Sequence, residues 1–296
     1  MKKRILTGIA ACAIVVAAFT GCSSQAEPAQ SAPTAETPAG SSASENAPSE
    51  AKGVISVAAT AVPHAEILTE AKPLLAEQGW DLQITVFDDY VQPNLVVNDG
   101  DIDANYFQHQ PYLDSFNEEH GTDLVPVGFI HYEPLGIYAG RLNDLKEIPD
   151  GVTIAVPNDT TNEARALQLL EANGIIKLTE GAGLNATKID VIAAESHHAE
   201  IVELDASQVS KHAQEVDFMV LNGNYALEAG LNAADDALAY ELSDSDAAKT
   251  YVNVIAVKAG NEEQEGVKAL VDVLNSEPII RFIEDTYQGS VVYFAQ

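Results

Sequence analysis

The sequence predicts an α/β fold. Two observations carry this. Short apolar, β-branched runs alternate with segments of helical periodicity over roughly 240 residues. The segments also change over at glycines and polar turns, where helices stop and strands begin. The composition is compatible: of 296 residues 46% are hydrophobic and 20% charged, enough apolar matter for one or two packed domains.

The elements read in order. Val54 to Ala59 is a strand, and Ala65 to Gln78 carries Ile67, Leu68, Ala71, Leu74 and Leu75 at helical spacing before Gly79. Leu82 to Phe87 alternates as a strand, Val91 to Asn98 is helical, and Ala104 to Phe107 is the next strand. Pro111 to His120 is a helix closed by Gly121, and Val125 to Phe129 and Thr153 to Val156 are strands. Thr160 with Glu163 matches a capping box that opens a helix running to about Ala172. Phe218 to Leu221 and Val252 to Val257 are strands, and Val267 to Leu274 and Pro278 to Thr286 the last helices. This alternation predicts largely parallel sheets. Ligands of such sheets bind beyond the carboxyl ends of the strands. Segments 60–66, 88–90, 107–112, 131–133, 158–165 and 222–225 are therefore where chemistry is expected.

The first 52 residues have a different character. Lys2, Lys3 and Arg4 precede an apolar run from Ile5 to Phe19, followed by Thr20-Gly21-Cys22. A basic head, a run too short to span a bilayer and a small-residue site read as a secretory signal over residues 1–21. The ending resembles a bacterial lipobox, which implies cleavage before Cys22 and lipid on its sulfur; Phe19 stands where that pattern prefers an aliphatic residue. Residues 22–52, rich in Ser, Ala, Pro and Glu, have little to bury and read as a disordered tether. Cys12 and Cys22 both precede the folded part, so that part has neither a disulfide nor a cysteine metal site.

A formal net charge of −30 excludes electrostatic binding of nucleic acid, which needs clustered Lys and Arg. No nucleophile elbow, zincin, P-loop or dinucleotide motif is present, so no enzyme class is indicated. Arg165 lies in the first turns of a helix after a strand and a polar turn, a place suited to a carboxylate, although a surface ion pair would serve equally. Tyr90, Phe107, His109 and Tyr112 form either an amphipathic ligand wall or a core cluster. His64, His109 and His131 all follow strands, and three imidazoles suit zinc, but a zinc carrier would be expected to add a carboxylate and often a His-rich loop, and His197-His198 is too short a tract for that. Asn222 and Asn224 flank Gly223 at a strand end, and Asn253 sits inside an apolar strand; each needs backbone or ligand partners.

Several of these stretches together resemble the methionine-binding lipoproteins of the MetQ/NlpA family. They are Val62 to Leu68, Asp89 to Asn94, Asp103 to Leu113, Ile154 to Asp159 with Thr161, Asn162, Glu163 and Arg165, and Asn222 to Ala226. The likeness runs from about Val54 to the C-terminus. It implies a two-lobed periplasmic-binding-protein fold, type 2-like, with the ligand in the interdomain cleft. Residues 53–134 plus 251–296 would form one lobe and 135–250 the other, joined near Pro134–Gly136 and Glu241–Tyr251. The resemblance implies a side-chain pocket from Tyr90, Phe107 and His109, Arg165 on the ligand carboxylate, and Asn222 and Asn253 on the amino and carboxylate ends. Asn162, His131 and Tyr132 are further candidates to line the cleft. Ala59, Ala61 and Thr160 depart from a more usual Gly, Pro and Pro.

The function implied is capture of methionine by a lipid-anchored, extracytoplasmic monomer that delivers it to the permease and ATPase of an ABC importer, with no cofactor and no catalysis. A carrier for a methionine-containing dipeptide, another apolar amino acid or a metal remains open, as does a tethered enzyme.

Overall fold

A computed structural model describes residues 51–295. The signal segment, Cys22 and all of the tether except residues 51 and 52 lie outside the described residues.

Two mixed sheets organise the chain. The first contains β1 (Gly53–Ala59), β2 (Trp80–Val86), β3 (Ala104–His109), β4 (Leu124–Tyr132), β10 (Val252–Lys258) and β11 (Val292–Tyr293), in the order β11-β4-β10-β3-β1-β2. The second contains β5 (Gly136–Ala139), β6 (Thr153–Pro157), β7 (Glu200–Leu204), β8 (Phe218–Leu221) and β9 (Ala239–Tyr240), in the order β7-β6-β8-β5-β9. The chain passes from the first sheet to the second between Tyr132 and Gly136, and returns between Tyr240 and Val252.

Helices α1 (Glu66–Glu77), α2 (Gln92–Asp99) and α3 (Gln110–His120) serve the first sheet, as do the C-terminal pair α6 (Glu265–Leu274) and α7 (Glu277–Tyr287). Helices α4 (Thr160–Ala172) and α5 (Gly223–Glu228) follow β6 and β8. Each sheet has its own core. Ile55, Val57, Ile67, Leu68, Ile255, Leu270 and Ile283 pack around the first. Ile137, Ile154, Leu167, Leu170, Phe218 and Val220 pack around the second. Strand β3 is buried along its whole length, because it lies between β1 and β10 with helices over it. No helix of the described residues is long and apolar enough to cross a membrane.

The expectation of largely parallel sheets needs correcting. β1 runs parallel to β2 and β3, and β6 parallel to β7 and β8. However, β10 is antiparallel to both β3 and β4, and β5 is antiparallel to β8. β10 is the strand by which the chain re-enters the first sheet, and it comes in from the cleft side. Its N-terminal end therefore lies beside the C-terminal end of β3, pairing Asn253 with His109. The capping box also shifts by one residue. The cap of α4 is Asp159, whose carboxylate accepts the Asn162 N–H, while Thr160 is already helical and its hydroxyl donates to Glu119 of α3. Glu163 is drawn away to accept the Lys188 N–H.

Candidate functional site

The strand ends converge on one nearly closed cleft, lined among others by Tyr90, Phe107, His109, Glu133, Asn162, Arg165, Asn222, Asn224 and Asn253. Tyr90 follows β2, Phe107 and His109 end β3, Glu133 follows β4, Asn222 follows β8, and Asn253 lies at the reversed end of β10. Four hydrogen bonds tie the two halves across the cleft. They run from Tyr90 Oη to Asn224 Oδ1 (2.5 Å), from Tyr225 Oη to the Asp88 carbonyl (3.0 Å), from Thr160 Oγ1 to Glu119 (2.8 Å), and between His109 Nε2 and Asn162 Oδ1 (3.0 Å).

One end of the cleft is aromatic. The Tyr90 ring centroid lies 5.7 Å from Phe107, 5.6 Å from Tyr112 and 5.0 Å from Tyr225. The other end is polar, and its amides have readable directions. Asn222 Nδ2 donates to Asn162 Oδ1 at 2.8 Å, which leaves Asn222 Oδ1 buried without a partner. Asn224 Oδ1 accepts the Tyr90 hydroxyl, which leaves Asn224 Nδ2 buried without a partner. Asn253 Oδ1 faces His64 Nε2 at 3.1 Å, so its amide nitrogen is the end left over. Buried polar atoms without partners are costly and rare in a folded protein. An unpaired acceptor and an unpaired donor in one closed cleft are groups that a bound molecule carrying both a donor and an acceptor would satisfy.

Arg165 is not a free clamp. Its Nε and Nη2 grip both oxygens of Glu241 at 2.9 and 2.5 Å, Nη2 also donates to the Glu133 carbonyl, and the guanidinium stacks 4.2 Å from the Tyr251 ring centroid. Burial alone would lower its pKa, but the Glu241 carboxylate outweighs burial and raises it. The reciprocal pull holds Glu241 low against its own burial. Nη1 is the guanidinium nitrogen without a hydrogen bond among the described residues.

Glu133 was not singled out in the sequence, yet it lines the cleft and is buried. Its Oε1 accepts from His131 Nε2 at 2.7 Å and lies 3.3 Å from His64 Nε2. Burial raises its pKa, with His64 as the largest opposing influence. Both histidines are neutral, pushed by burial to about 4 for His64 and about 3 for His131. The Glu133 carboxyl therefore has no protonated imidazole beside it, and the Arg165 charge, on its backbone carbonyl, is a smaller influence drawing its pKa down. Gly223 makes this approach possible: a Cβ there would lie 2.6 Å from Glu133 Cβ. Gly223→Ala is accordingly expected to cost about 1–3 kcal/mol of stability by overpacking, measurable in denaturant unfolding.

Of the candidates read from sequence, Tyr90, Phe107, His109, Asn162, Arg165, Asn222 and Asn253 come together on this cleft. His131 and Tyr132 do not line it. The His131 ring is held behind Glu133 by the Tyr106 hydroxyl, and the Tyr132 hydroxyl donates to Glu241 at 2.6 Å. The three-histidine grouping also breaks up. His109 is engaged with Asn162, and the potential metal ligands that converge, within 4.8 Å, are His64, His131 and Glu133. His64 Nε2 faces Asn253 Oδ1 and His131 Nε2 faces Glu133 Oε1, with Nδ1 of each ring facing the hydroxyls of Thr60 and Tyr106. A metal ion held by these rings and Glu133 would have to displace hydrogen bonds that are already made.

Comparison with known proteins agrees with this architecture. The family pattern described as NlpA lipoprotein matches residues 55–294. The methionine-binding lipoprotein MetQ of Bacillus subtilis is 39% identical over 253 residues, 84% of this chain and 91% of that protein. A lipoprotein from Ruminococcus gnavus has a crystal structure similar to this fold, with 62% identity and a TM-score of 0.80 over 82% of this chain and 99% of that one. A nutrient-binding protein from Burkholderia cenocepacia, solved bound to methionine, is similar at 40% identity and a TM-score of 0.77, over 81% of this chain and 100% of that one. With the match spanning both sheets and the cleft between them, the chain belongs to the NlpA lipoprotein family.

Proposed function

We infer that this protein captures free methionine outside the cytoplasm and delivers it to an ABC importer. The observation that carries the reading is the pair of partnerless buried atoms, Asn222 Oδ1 and Asn224 Nδ2, in a closed cleft with an aromatic far wall. An α-amino acid zwitterion supplies the missing partners. Its ammonium takes Asn222 Oδ1 and the Glu133 carboxylate, and its carboxylate takes Asn224 Nδ2, Asn253 Nδ2 and Arg165 Nη1. The unbranched thioether extends among Tyr90, Phe107 and Tyr112, where sulfur gains from aromatic edges. Family resemblance supports the same ligand, since a relative of this fold is solved with methionine bound.

Residues 53–134 with 251–296, and residues 135–250, act as two lobes that close about the crossings at 133–135 and 241–251. The cross-cleft hydrogen bonds of Tyr90, Tyr225 and His109 would form on closure. Cys22, lipidated after removal of residues 1–21, anchors the protein to the membrane, and the segment to residue 52 tethers it within reach of the permease. The protein works by stoichiometric binding, without turnover.

Calorimetric titration of protein stripped of ligand by partial unfolding tests this. Methionine is expected to bind one to one. Phe107→Ala, which removes one aromatic wall, is expected to cost about 2 kcal/mol, roughly thirtyfold in affinity. Binding of a different amino acid from a panel, and none of methionine, would move the ligand. Turnover of a bound compound would overturn the carrier reading.

A further inference from the structure

Asp159 lies outside the residues that line the cleft, yet the direction of every polar group at the cleft's acceptor end traces back to it. Its carboxylate receives four hydrogen bonds from three donors: the Asn162 backbone N–H (3.0 Å), Asn162 Nδ2 on both oxygens (2.9 and 3.0 Å) and the Thr161 hydroxyl (3.2 Å). Burial raises the Asp159 pKa, these donors oppose it, and the carboxylate they favour only accepts. The amide of Asn162 must therefore turn its NH₂ toward Asp159 and its oxygen the other way.

That oxygen receives two groups, His109 Nε2 at 3.0 Å and Asn222 Nδ2 at 2.8 Å. Both must donate. His109 is held as the neutral Nε2–H tautomer from both sides, because its Nδ1 also accepts the Tyr112 backbone N–H at 3.1 Å, capping α3. Burial, with the nearby Arg165 charge, lowers the pKa of His109 to about 3, so the ring stays neutral. Asn222, with its NH₂ committed to Asn162, has only its oxygen left, and this is the partnerless acceptor of the cleft. Were Asn162 reversed, its NH₂ would face the NH₂ of Asn222, and Asn222 would turn over to present a donor to the ligand instead.

We propose that Asp159 is a positioning residue that sets the polarity of the ligand site, acting through Asn162 on Asn222. It thereby makes the site select a ligand with an ammonium group. This rests on the reading of the cleft as an amino-acid site, but its first consequence, the sense of the Asn162 and Asn222 amides, exists without any ligand.

The probe is Asp159→Asn in the full chain. Asn caps helices as well as Asp, so α4 keeps its N-terminal acceptor and the fold is expected to persist. What is lost is the acceptor-only carboxylate. In ligand-free protein, the side-chain amide resonances of Asn222, assigned by their loss in Asn222→Ala, are expected to be protected from solvent exchange in the parent, where its NH₂ is committed to Asn162, and to shift and exchange faster in Asp159→Asn. In titrations, the preference for methionine over its analogue without the amino group is expected to fall by about tenfold to a hundredfold, the range for one hydrogen bond to a charged group. The drop should come from weaker methionine binding rather than from general loss of affinity. Unchanged Asn222 amide resonances together with an unchanged preference would overturn the proposal. Shifted resonances in a protein that binds no methionine would uphold the positioning role and refute the ligand assignment instead. Asp159→Ser, which still caps the helix but cannot span to the Asn162 side chain, is expected to reproduce the shift; unchanged Asn222 resonances there would count against the proposal.

Discussion

Arg165→Ala is expected to abolish methionine binding and to destabilise the ligand-free protein by about 3–5 kcal/mol, as breaking a buried ion pair does. The reason lies in how much the guanidinium holds. It neutralises Glu241, and Glu241 in turn accepts the Tyr132 hydroxyl and the Leu135 N–H at 2.6 and 3.0 Å. Arg165 Nη2 also holds the Glu133 carbonyl. One side chain thus ties both crossings between the sheets, 133–135 and 241, to the cleft wall. Removing it leaves a buried carboxylate without its cation. Chemical denaturation measures the stability loss and calorimetry the binding loss. Adding Glu241→Gln to Arg165→Ala separates the two. The second change removes the stranded charge and keeps an acceptor for Tyr132, so part of the stability should return while methionine binding stays lost. Recovery of binding in the double variant would show that Arg165 serves the hinge and not the ligand.

The second large effect is expected at Glu133. Glu133→Gln keeps the size and an acceptor for His131 but removes the negative charge facing the ammonium. Losing one partner of a buried charge pair costs about 2–5 kcal/mol, so affinity should fall by roughly thirtyfold or more. Unlike Arg165→Ala, it strands no charge in the free protein, whose unfolding midpoint should change far less. The pH dependence provides an independent check. Burial raises the Glu133 pKa in the ligand-free protein. As pH falls through that raised value a proton occupies the carboxylate, and the ammonium can bind only by displacing it. Methionine affinity should therefore decline as pH falls through that raised value, with the decline beginning above the ordinary glutamate value of about 4.3. In Glu133→Gln this decline should vanish. An affinity in the parent that is flat down to that ordinary range would show that Glu133 does not carry the ammonium.

The local parts of the fold were legible because they follow from short-range physics. The strand of Phe218–Leu221 and the helix ending at Gly121 coincide with the structure to within a residue, since apolar period and left-handed glycine caps act over a few residues. The short edge strands β7, β9 and β11 were not legible, because pairing with a neighbour, not their own pattern, makes them strands. The reversal of β10 belongs to the same class. Its apolar run announces a strand, but its direction depends on where the chain stands when it returns from the second sheet.

The cleft divides in the same way. By itself the sequence determined the α/β class, the segments after strands where polar residues gather, and, by resemblance, the side chains that meet there. Only the tertiary structure decided the sense of each polar group. Asn222 could offer either end of its amide until Asp159, 63 positions earlier, oriented Asn162 against it. Arg165 could have been a free clamp until Glu241 arrived from the far crossing. Glu133 looked like one more acid in a chain of net charge −30 until folding buried it in the cleft beside two neutral histidines. Residue type and spacing are local properties, whereas hydrogen-bond direction and charge compensation belong to neighbours that only folding supplies.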